Sequence, residues 1–467
     1  MATKLPYDPN NKASIIEYAQ KLVGKTLREV CLTDPKDEKQ FSGKGNFGQT
    51  LEKYYFLYEP NSDSQPDFPE AGLELKSTPL KRLKNKEYRA KERLVLTIID
   101  YMKIIEQEFD SSSFWRKNAH ILLVFYLYQK DLNFMDYMVR IVNEWDFPDA
   151  DKEVIKQDWE FIKAKVRAGK AHELSEGDTY YLGACSKGAN KEQKRRQPNS
   201  KEMAMQRAFS FKASYVNHII ASLVGNTAVG YGKAIPTLGV KRGQTIENAI
   251  ITKYRKYYGK TVAEIQEALG VNLNVNTKQF FAILSDNIQE YEEVDKAGIT
   301  VKTVVLAEDS NKPPQENMSF PAFEYEDLVT ETWEESTFKE MLERKFLFVF
   351  FQHQGDDVVL REVRLWNMPY DDILEAKKVW GRTKEIVSSG NIVKSVAKSG
   401  RRNTNFPGVR FNRIAHARPH ATTTDDTYPL PVMDKVTKAH EYTKYAFWLN
   451  NSYILEIYKS KNEKAYA

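Results

Sequence analysis

The sequence predicts an α/β (α+β) protein made of two tandem copies of one fold, each with a central mixed β-sheet flanked by helices. Three observations support this prediction: helical and strand patterns are mixed in each half, several segments recur in order, and the chain has 467 residues. Because single hydrophobic cores stop growing at about 250–300 residues, a chain of this length is expected to form two domains.

The individual elements follow from the spacing of apolar residues. The segments 15–25, 50–59 and 151–170 carry apolar residues at helical spacing, which predicts helices. The segments 94–100 and 120–128 are short apolar runs, which predict buried strands. Helix and strand therefore mix within one half of the chain.

Four segments of the first half recur in the second half in the same order. The pairs are GKTLREV (24–30) with GKTVAEI (259–265), AGLELKST (71–78) with AGITVKTV (297–304), ILLVFY (121–126) with FLFVFF (346–351), and AFSFKASYV (208–216) with AFWLNNSYI (446–454). The stretch 225–243 is rich in glycine, as is typical of a linker. We therefore predict a first domain over 1–224, a linker over 225–243 and a second domain over 244–467.

Composition predicts a soluble cytoplasmic protein with no membrane association. Hydrophobic residues make up 41% of the chain, no apolar stretch reaches membrane-spanning length, and Cys31 and Cys185 are too few for a disulfide framework. The net charge of +5 is modest, but basic residues cluster at 81–93, 187–197 and 398–413. Such clusters favour contacts with phosphates, which predicts nucleic acid as a partner.

One segment carries a pattern typical of metal-dependent nucleases. Asp67 is followed by a short turn and then by Glu74-Leu75-Lys76, in which Leu73 and Leu75 alternate with the charged residues. On a strand this alternation places the leucines in a core and both charges on the opposite face. Two carboxylates can hold a hard cation such as Mg²⁺, and a nearby lysine can orient or activate a water molecule. Alone, the pattern also fits a solvated strand face.

The surrounding sequence resembles a known nuclease family. The run GKGNFGQTLEKYYF followed by DSQPDFPEAGLELKSTPL is similar to the MutH mismatch-repair nicking nuclease, and more similar still to two-domain, Sau-type restriction endonucleases that cut at GATC. The similarity continues in order over most of residues 14–220, and the likeness to the restriction enzymes reaches the C-terminus. The resemblance implies a type II restriction endonuclease that depends on Mg²⁺ and cuts double-stranded DNA 5′ of G, leaving 5′-phosphate ends.

The resemblance also implies the remaining site residues. Glu52 would complete the acidic cluster from the preceding helix, although alone it could be a surface glutamate. Lys117 would contact the scissile phosphate or the water, although alone it could be a surface lysine at the start of a strand. Asp67 and Glu74 would be the metal ligands and Lys76 the lysine of the motif.

Base contacts are expected from a loop that enters the major groove. Ser186 and Lys187 match this region, but the MutH arginine is replaced here. Ser210 stands where MutH has a tyrosine that helps to sense adenine methylation, so we hypothesise that N6-methyladenine does not prevent cleavage. In the second copy, Arg418 and His420 lie in the equivalent segment and are expected to contact DNA.

The second copy is expected to be non-catalytic. Thr300 replaces the motif glutamate, Lys302 is kept, and Asp295 is a doubtful counterpart of the motif aspartate. A site that has lost a carboxylate should hold Mg²⁺ poorly. We expect this half to be an effector or second DNA-binding domain.

Assembly and biological setting follow from the same resemblance. One active site per chain predicts a dimer on DNA, possible looping between two sites, and a cognate methyltransferase as a functional partner. Two alternatives stay open at this stage: a strand-nicking mismatch-repair endonuclease, and a DNA-binding protein without enzymatic activity.

Overall fold

The computed structural model describes residues 5–31, 46–60, 64–83, 87–187, 193–224, 237–241, 243–400, 402–423 and 425–460. Most of the predicted linker, residues 225–236 and 242, lies outside the described residues. The chain divides into two compact units. The first comprises Met1–Thr245 with Glu290–Gly298, and the second comprises Ile246–Gln289 with Ile299–Ala467.

Helices and strands occur in both units. The α-helices are α1 (Lys12–Gln20), α2 (Leu27–Val30), α3 (Asn46–Thr50), α4 (Tyr101–Ile104), α5 (Ser113–Asn118), α6 (Asp149–Arg167), α7 (Ala213–Leu223), α8 (Ile246–Arg255), α9 (Val262–Ala268), α10 (Thr277–Gln289), α11 (Glu292–Ala297), α12 (Tyr325–Thr330), α13 (Thr337–Leu342), α14 (Tyr370–Ser388) and α15 (Asn451–Lys459). The strands are β1 (Glu74–Arg82), β2 (Tyr88–Ala90), β3 (Leu94–Ile98), β4 (His120–Leu127), β5 (Val139–Asp146), β6 (Leu182–Ser186), β7 (Lys194–Arg195), β8 (Ala204–Met205), β9 (Arg207–Phe211), β10 (Thr300–Leu306), β11 (Met318–Phe323), β12 (Phe346–Gln354), β13 (Asp357–Trp366), β14 (Val393–Val396), β15 (Arg402–Thr404), β16 (Ala415–Pro419), β17 (Thr427–Pro429), β18 (Glu441–Thr443) and β19 (Tyr445–Leu449).

Two sheets form the framework of the first unit. One has the strand order β2-β1-β4-β5, in which β1 is parallel to β4 and the other pairs are antiparallel. The other sheet is antiparallel and has the order β3-β9-β6. Mixed strand directions together with flanking helices confirm the predicted fold class.

Strand β1 follows the predicted alternation. Leu73 and Leu75 are buried in one apolar cluster with Leu122 and Val124 of β4. Full burial of a leucine side chain contributes roughly 1.5–3 kcal/mol, so these contacts fix the face that β1 turns to the core. The register that results places Glu74 opposite Ile121 at the start of both strands.

Among the described residues, the second unit repeats this topology except that its sheet has no counterpart of β2. Strand β10 is parallel to β12, and β12 is antiparallel to β13, while β11, β19 and β16 form an antiparallel sheet in the order β11-β19-β16. Thr300 lies opposite Phe346, as Glu74 lies opposite Ile121 in the first unit. Two units with matching strand orders and registers are two copies of one fold, as the sequence repeats predict.

The repeat extends to individual helix caps. In α2 the Thr26 side chain accepts the Glu29 backbone N–H, and the Glu29 side chain accepts the Thr26 backbone N–H. The same capping box joins Thr261 and Glu264 at the start of α9. Each box satisfies two backbone N–H groups that a helix start would otherwise leave without partners.

A buried tyrosine–aspartate bond is also present in both units. The Tyr215 hydroxyl donates to Asp151 at 2.9 Å, and the Tyr453 hydroxyl donates to Asp372 at 2.6 Å. The aspartates lie in the first turns of α6 and α14, and the tyrosines lie in α7 and α15. Each bond ties the long helix of a unit to the helix after its last strand.

Helix α11 comes from the second half of the sequence but belongs to the first unit. Lys296 forms a buried ion pair with Asp151 at 2.7 Å and a second pair with Glu292 at 2.8 Å. The Ser214 hydroxyl donates to the Lys296 carbonyl oxygen at 2.9 Å. The first compact unit is therefore not a continuous segment, because its buried aspartate takes a partner from residues 290–298.

The predicted helix over 50–59 is shorter and less regular than expected. After α3 the chain forms a π-helical turn over Leu51–Tyr55, and the Phe56 N–H donates to the Leu51 carbonyl oxygen at 3.0 Å. The helix ends there because Leu57 adopts a positive φ of 60°, a left-handed conformation outside the helical range.

Candidate active site

The loop before β1 folds back onto the start of the strand. Gly72 adopts a positive φ of 62°, which a side chain would disfavour, and reverses the chain. The Asp67 backbone N–H then donates to Glu74 Oε2, and the Leu75 N–H donates to Asp67 Oδ2, both at 3.0 Å. These two bonds fix the two acidic residues of the motif next to each other.

Two lysines contact Glu74. Its side chain is 1% exposed, and Lys76 donates a short hydrogen bond to Oε1. Lys117 Nζ lies 3.7 Å from the same oxygen. Lys117 is in the last turn of α5, which Ser112 caps at its N-terminus and which ends just before β4. A buried carboxylate is unfavourable unless its charge is balanced, and these two ammonium groups offset part of that charge.

Glu52 in the π-helical turn belongs to the same electrostatic environment. Burial and the charges of Asp67 and Glu74 raise the pKa of Glu52 to about 7, whereas Lys76 and Lys117 act in the opposite direction. Burial likewise raises the pKa of Glu74 to about 7, against the lowering effect of Lys76. The structure thus joins Asp67, Lys76 and Lys117 to Glu74 by hydrogen bonds or an ion pair, and the charges of these four residues act on Glu52.

The donor set suits a hard divalent cation. Glu52, Asp67 and Glu74 offer carboxylate oxygens, which are the ligands that Mg²⁺ prefers. The raised pKa values of Glu52 and Glu74 show that the two lysines compensate their charged forms only in part, and a cation would compensate them further. Because Lys76 already bonds to Glu74 Oε1, an ion at that oxygen would compete with the ammonium group.

A second group of possible ligands lies at the start of β4 and the end of β5. Ligand atoms of His120, Glu144 and Asp146 lie within 4.8 Å of one another. However, His120 and Asp146 are exposed, and Glu144 forms an ion pair with Lys12. Exposed acidic groups of this kind are common without a metal, so the group supports no metal assignment here.

The predicted base-contacting residues Ser186 and Lys187 lie at the end of β6. Both are exposed, and the Lys187 backbone N–H donates to the Gln206 carbonyl oxygen at 2.9 Å. Residues 188–192, the rest of the predicted recognition loop, lie outside the described residues. The end of β6 therefore presents a serine and a lysine to solvent.

The sequence did not identify the residue that anchors β6. Asp158 of α6 is buried and accepts backbone N–H groups at 2.7–2.9 Å from Tyr180, Tyr181 and Leu182. Burial raises the pKa of Asp158 to about 6, although these bonds and the Lys212 charge oppose the rise. Asp158 therefore fixes the strand that carries Ser186. In the sequence, Asp158 is an acidic residue within a helical apolar pattern, and nothing in that pattern predicts this role.

Ser210 lies inside the sheet rather than beside the exposed Ser186 and Lys187. It is 3% exposed and pairs with Gly183 of β6. A side-chain carbon added to Gly183 would lie 3.8 Å from Ser210 Oγ, which is ordinary contact distance. Both residues are buried, so the Ser210 hydroxyl is not presented to solvent as Ser186 and Lys187 are.

In the second unit, Arg418 and His420 contact a tryptophan. The Arg418 guanidinium lies 5.3 Å from the Trp448 ring centre, and the His420 ring lies 5.7 Å from it. Both residues are exposed at the end of β16. The repeat aligns Trp448 with Ser210, so a large aromatic ring replaces a hydroxymethyl group at this position.

The second unit differs from the first at the positions of the acidic cluster. Thr300 occupies the strand position of the motif glutamate, while Lys302 is kept and burial lowers its pKa. The counterpart of α5 is α13, which carries Met341 and Leu342 where α5 has its lysine. Asp295, the doubtful aspartate counterpart, lies in α11 of the first unit.

One residue of the acidic cluster was missed by sequence reasoning. Tyr58 follows the π-helical turn, and its ring packs edge-on against Phe68 with centroids 5.6 Å apart. Its hydroxyl is buried and has no hydrogen-bond partner among the described residues. In sequence it is one of many tyrosines, so no local pattern distinguished it.

The chain is similar in sequence to nucleases of the MutH-like class. The family model of the DNA mismatch repair enzyme MutH matches residues 56–158. The type II restriction enzyme Sau3AI of Staphylococcus aureus is 35% identical over 484 aligned positions, which cover 95% of this chain and 97% of that enzyme.

The MutH proteins match less than half of this chain. The MutH of Buchnera aphidicola subsp. Baizongia pistaciae is 25% identical over 36% of this chain and 77% of its own length. The MutH of Shewanella baltica (strain OS185) is 24% identical over 46% of this chain and 97% of its own length.

The chain belongs to the MutH-like type II restriction endonucleases, the family of Sau3AI. It is therefore a deoxyribonuclease whose substrate is DNA, and not a binding protein without activity. Among the described residues, no helix is both long and apolar enough to span a membrane.

Proposed function

We propose that this chain is a Mg²⁺-dependent restriction endonuclease that cuts double-stranded DNA at GATC, on the 5′ side of G, and leaves 5′-phosphate ends. The observation that carries the proposal is the meeting of three carboxylates and two lysines at the start of β1. The site sequence and the cleavage position are supported by the resemblance to Sau-type enzymes. The protein would act in the cytoplasm, where a cognate methyltransferase would protect the host DNA.

Each residue of the cluster has a proposed role. Asp67 and Glu74, helped by Glu52, would hold Mg²⁺, which when bound polarises the scissile phosphate and lowers the pKa of water. Lys76 would orient the attacking water or accept its proton. Lys117 would stabilise the negative charge that builds on the phosphate.

A substitution in β1 tests the proposed site. Glu74→Ala should abolish Mg²⁺-dependent cleavage of a GATC plasmid and still allow specific DNA binding in Ca²⁺. Glu70→Ala is a matched control, because Glu70 is an exposed acidic residue of the same loop. Full activity of Glu74→Ala would show that the active site lies elsewhere. Sequencing the product ends would test the cleavage position.

We propose that the domains over 1–224 and 244–467, joined by the linker 225–243, divide catalysis from a second DNA-binding or effector function. Ser186 and Lys187 would contact DNA in the first domain, where the buried Ser210 would leave room for an N6-methyl group. Arg418 and His420 would contact DNA in the second domain. Thr300 in place of a glutamate supports a non-catalytic second domain. One active site per chain would require two chains for a double-strand break, brought together on DNA or by looping between sites.

A plasmid assay tests this assembly. Plasmids with two GATC sites should be cut faster than plasmids with one, and added duplex carrying the site should accelerate the slower reaction. Rapid cutting of one-site plasmid at low enzyme concentration, without such acceleration, would contradict the proposal.

A strand-nicking mismatch-repair activity is the second candidate, because the MutH family model matches part of the first unit. The same plasmid assay separates the two candidates. Accumulation of nicked circles without linear product would favour the nicking enzyme.

A further inference from the structure

Tyr58 carries a polar atom that the described residues leave unsatisfied. Its hydroxyl oxygen is buried and makes no hydrogen bond to any of them. Buried polar groups in folded proteins are nearly always bonded, so an exception points to a water molecule, an ion or a ligand as the partner.

The position of Tyr58 connects it to the acidic cluster from two sides. Its backbone N–H donates to the Glu52 carbonyl oxygen at 3.2 Å. Its ring packs against Phe68, the residue that follows Asp67. In addition, burial raises the pKa of the Tyr58 hydroxyl, and the negative charges of Asp67, Glu52 and Glu74 act in the same direction.

The backbone before Tyr58 adopts an unfavourable conformation. Leu57 has a φ of 60°, a left-handed conformation that a branched side chain rarely adopts. Its own side chain is 45% exposed and cannot explain the turn through packing. Such strain persists where the surrounding structure requires it, and here the turn directs Tyr58 back towards Glu52.

We propose that Tyr58 is a positioning residue of the metal site, whose hydroxyl donates a hydrogen bond to a water ligand of the divalent ion. The inference rests on the proposed function, because it takes Glu52, Asp67 and Glu74 as the residues that hold the ion. The bond satisfies the buried hydroxyl and fixes the orientation of the water ligand. A purely structural role would not require the Tyr58 hydroxyl, because a phenylalanine would fill the same space without an unsatisfied oxygen.

Two tyrosine-to-phenylalanine variants of the full chain test the inference. In EDTA, Tyr58→Phe should have an unchanged or higher Tm, because it removes an unsatisfied hydroxyl. Its Mn²⁺ affinity, measured by electron paramagnetic resonance, should fall about fivefold to tenfold, as expected for the loss of one hydrogen bond. Tyr18→Phe is the matched control: its hydroxyl donates to the Tyr55 carbonyl oxygen at 3.2 Å in the same aromatic cluster. That variant should lower the Tm and leave Mn²⁺ affinity unchanged.

The results separate this inference from the proposed function. Unchanged Mn²⁺ affinity in Tyr58→Phe, or a Tm in EDTA as low as that of Tyr18→Phe, would overturn the role of Tyr58. If Glu74→Ala also failed to weaken Mn²⁺ binding, the proposed metal site itself would be wrong. If Glu74→Ala weakened binding and Tyr58→Phe did not, the tyrosine inference alone would fail.

Discussion

Two carboxyl groups of the acidic cluster are only partly ionised at neutral pH. Because burial and neighbouring negative charge raise the pKa values of Glu52 and Glu74 to about 7, a cation must displace protons from them in mildly acidic solution. We predict that the Mg²⁺ concentration for half-maximal cleavage rises about fivefold per carboxylate between pH 7 and pH 6, and is nearly constant above about pH 8. Metal titrations of the cleavage rate at each pH would measure this.

The control for this prediction is Glu52→Gln, which removes one titrating carboxylate and should make the pH dependence shallower. In EDTA, where no divalent ion is bound, the stability of the first unit should fall as the pH rises. A carboxyl group whose pKa is raised by folding contributes stability at low pH that is lost as the pH rises through about 7. The first unit should therefore melt at a higher temperature at pH 6 than at pH 8. Equal Mg²⁺ requirements at pH 6 and pH 8 would contradict the account.

Leu57 provides a second prediction for a single residue. A non-glycine residue in the left-handed conformation costs about 1–2 kcal/mol, and Leu57 is 45% exposed, so its side chain offers little packing in return. Leu57→Gly should raise the free energy of unfolding of the first unit by up to about 1 kcal/mol. Leu57→Ala, which keeps the strain, should not. Differential scanning calorimetry would decide, and a destabilised glycine variant would show that Leu57 packs more than its exposure indicates.

At the scale of elements, the sequence predicts the strands that apolar residues mark and the topology that the repeated segments share. The leucines of β1 and the apolar run of β4 specify their strands, and the repeated segments specify the same topology twice. Helix ends were less predictable: α1 covers Lys12–Gln20 rather than 15–25, and the helix predicted over 50–59 became α3 and a π-helical turn. These ends depend on backbone conformations, such as the positive φ of Leu57, that no apolar spacing encodes.

The residues of the acidic cluster also differ in how far the sequence alone predicts them. Asp67, Glu74 and Lys76 could be found from a motif on one strand and its preceding loop. Glu52 and Lys117 came only from the family resemblance, because each lies on a different element that tertiary packing brings to β1. Nothing in the sequence distinguished Lys117 from a surface lysine, although it is 7% exposed.

The sheet β3-β9-β6 carries a prediction about methylated DNA. Ser210 and Gly183 face each other on β9 and β6 and leave more room than a tyrosine at position 210 would. We predict that GATC sites with N6-methyladenine are cut at a rate similar to that of unmethylated sites. Ser210→Tyr should slow the cutting of methylated sites more than that of unmethylated sites. Methylated plasmid left uncut under conditions that fully digest unmethylated plasmid would refute the hypothesis.

At the scale of the whole molecule, the first compact unit depends on residues far away in the sequence. Removing one partner of a buried ion pair leaves an uncompensated charge and costs about 3–5 kcal/mol. Lys296→Met should therefore destabilise the first unit by about this amount, because Asp151 would lose its buried partner. The double variant with Asp151→Asn should recover part of the loss. Unchanged denaturant unfolding of Lys296→Met would contradict this prediction.

This long-range contact could not be predicted from the sequence. The repeat suggested a division near 225–243, yet Lys296 lies beyond it and packs within the first unit. The proposed domain boundaries therefore need a direct test. If the ion pair is required, a fragment over 1–224 should be less stable than the same unit in the full chain.

The central claim is that the acidic residues of the first half, and not those of the second, hold the divalent ion. The most direct test is Mn²⁺ binding to the full chain, measured for Asp67→Asn and for Asp295→Asn. We predict that Asp67→Asn weakens binding at least tenfold, while Asp295→Asn binds Mn²⁺ as the unaltered protein does. Normal binding by Asp67→Asn together with lost binding by Asp295→Asn would contradict the claim.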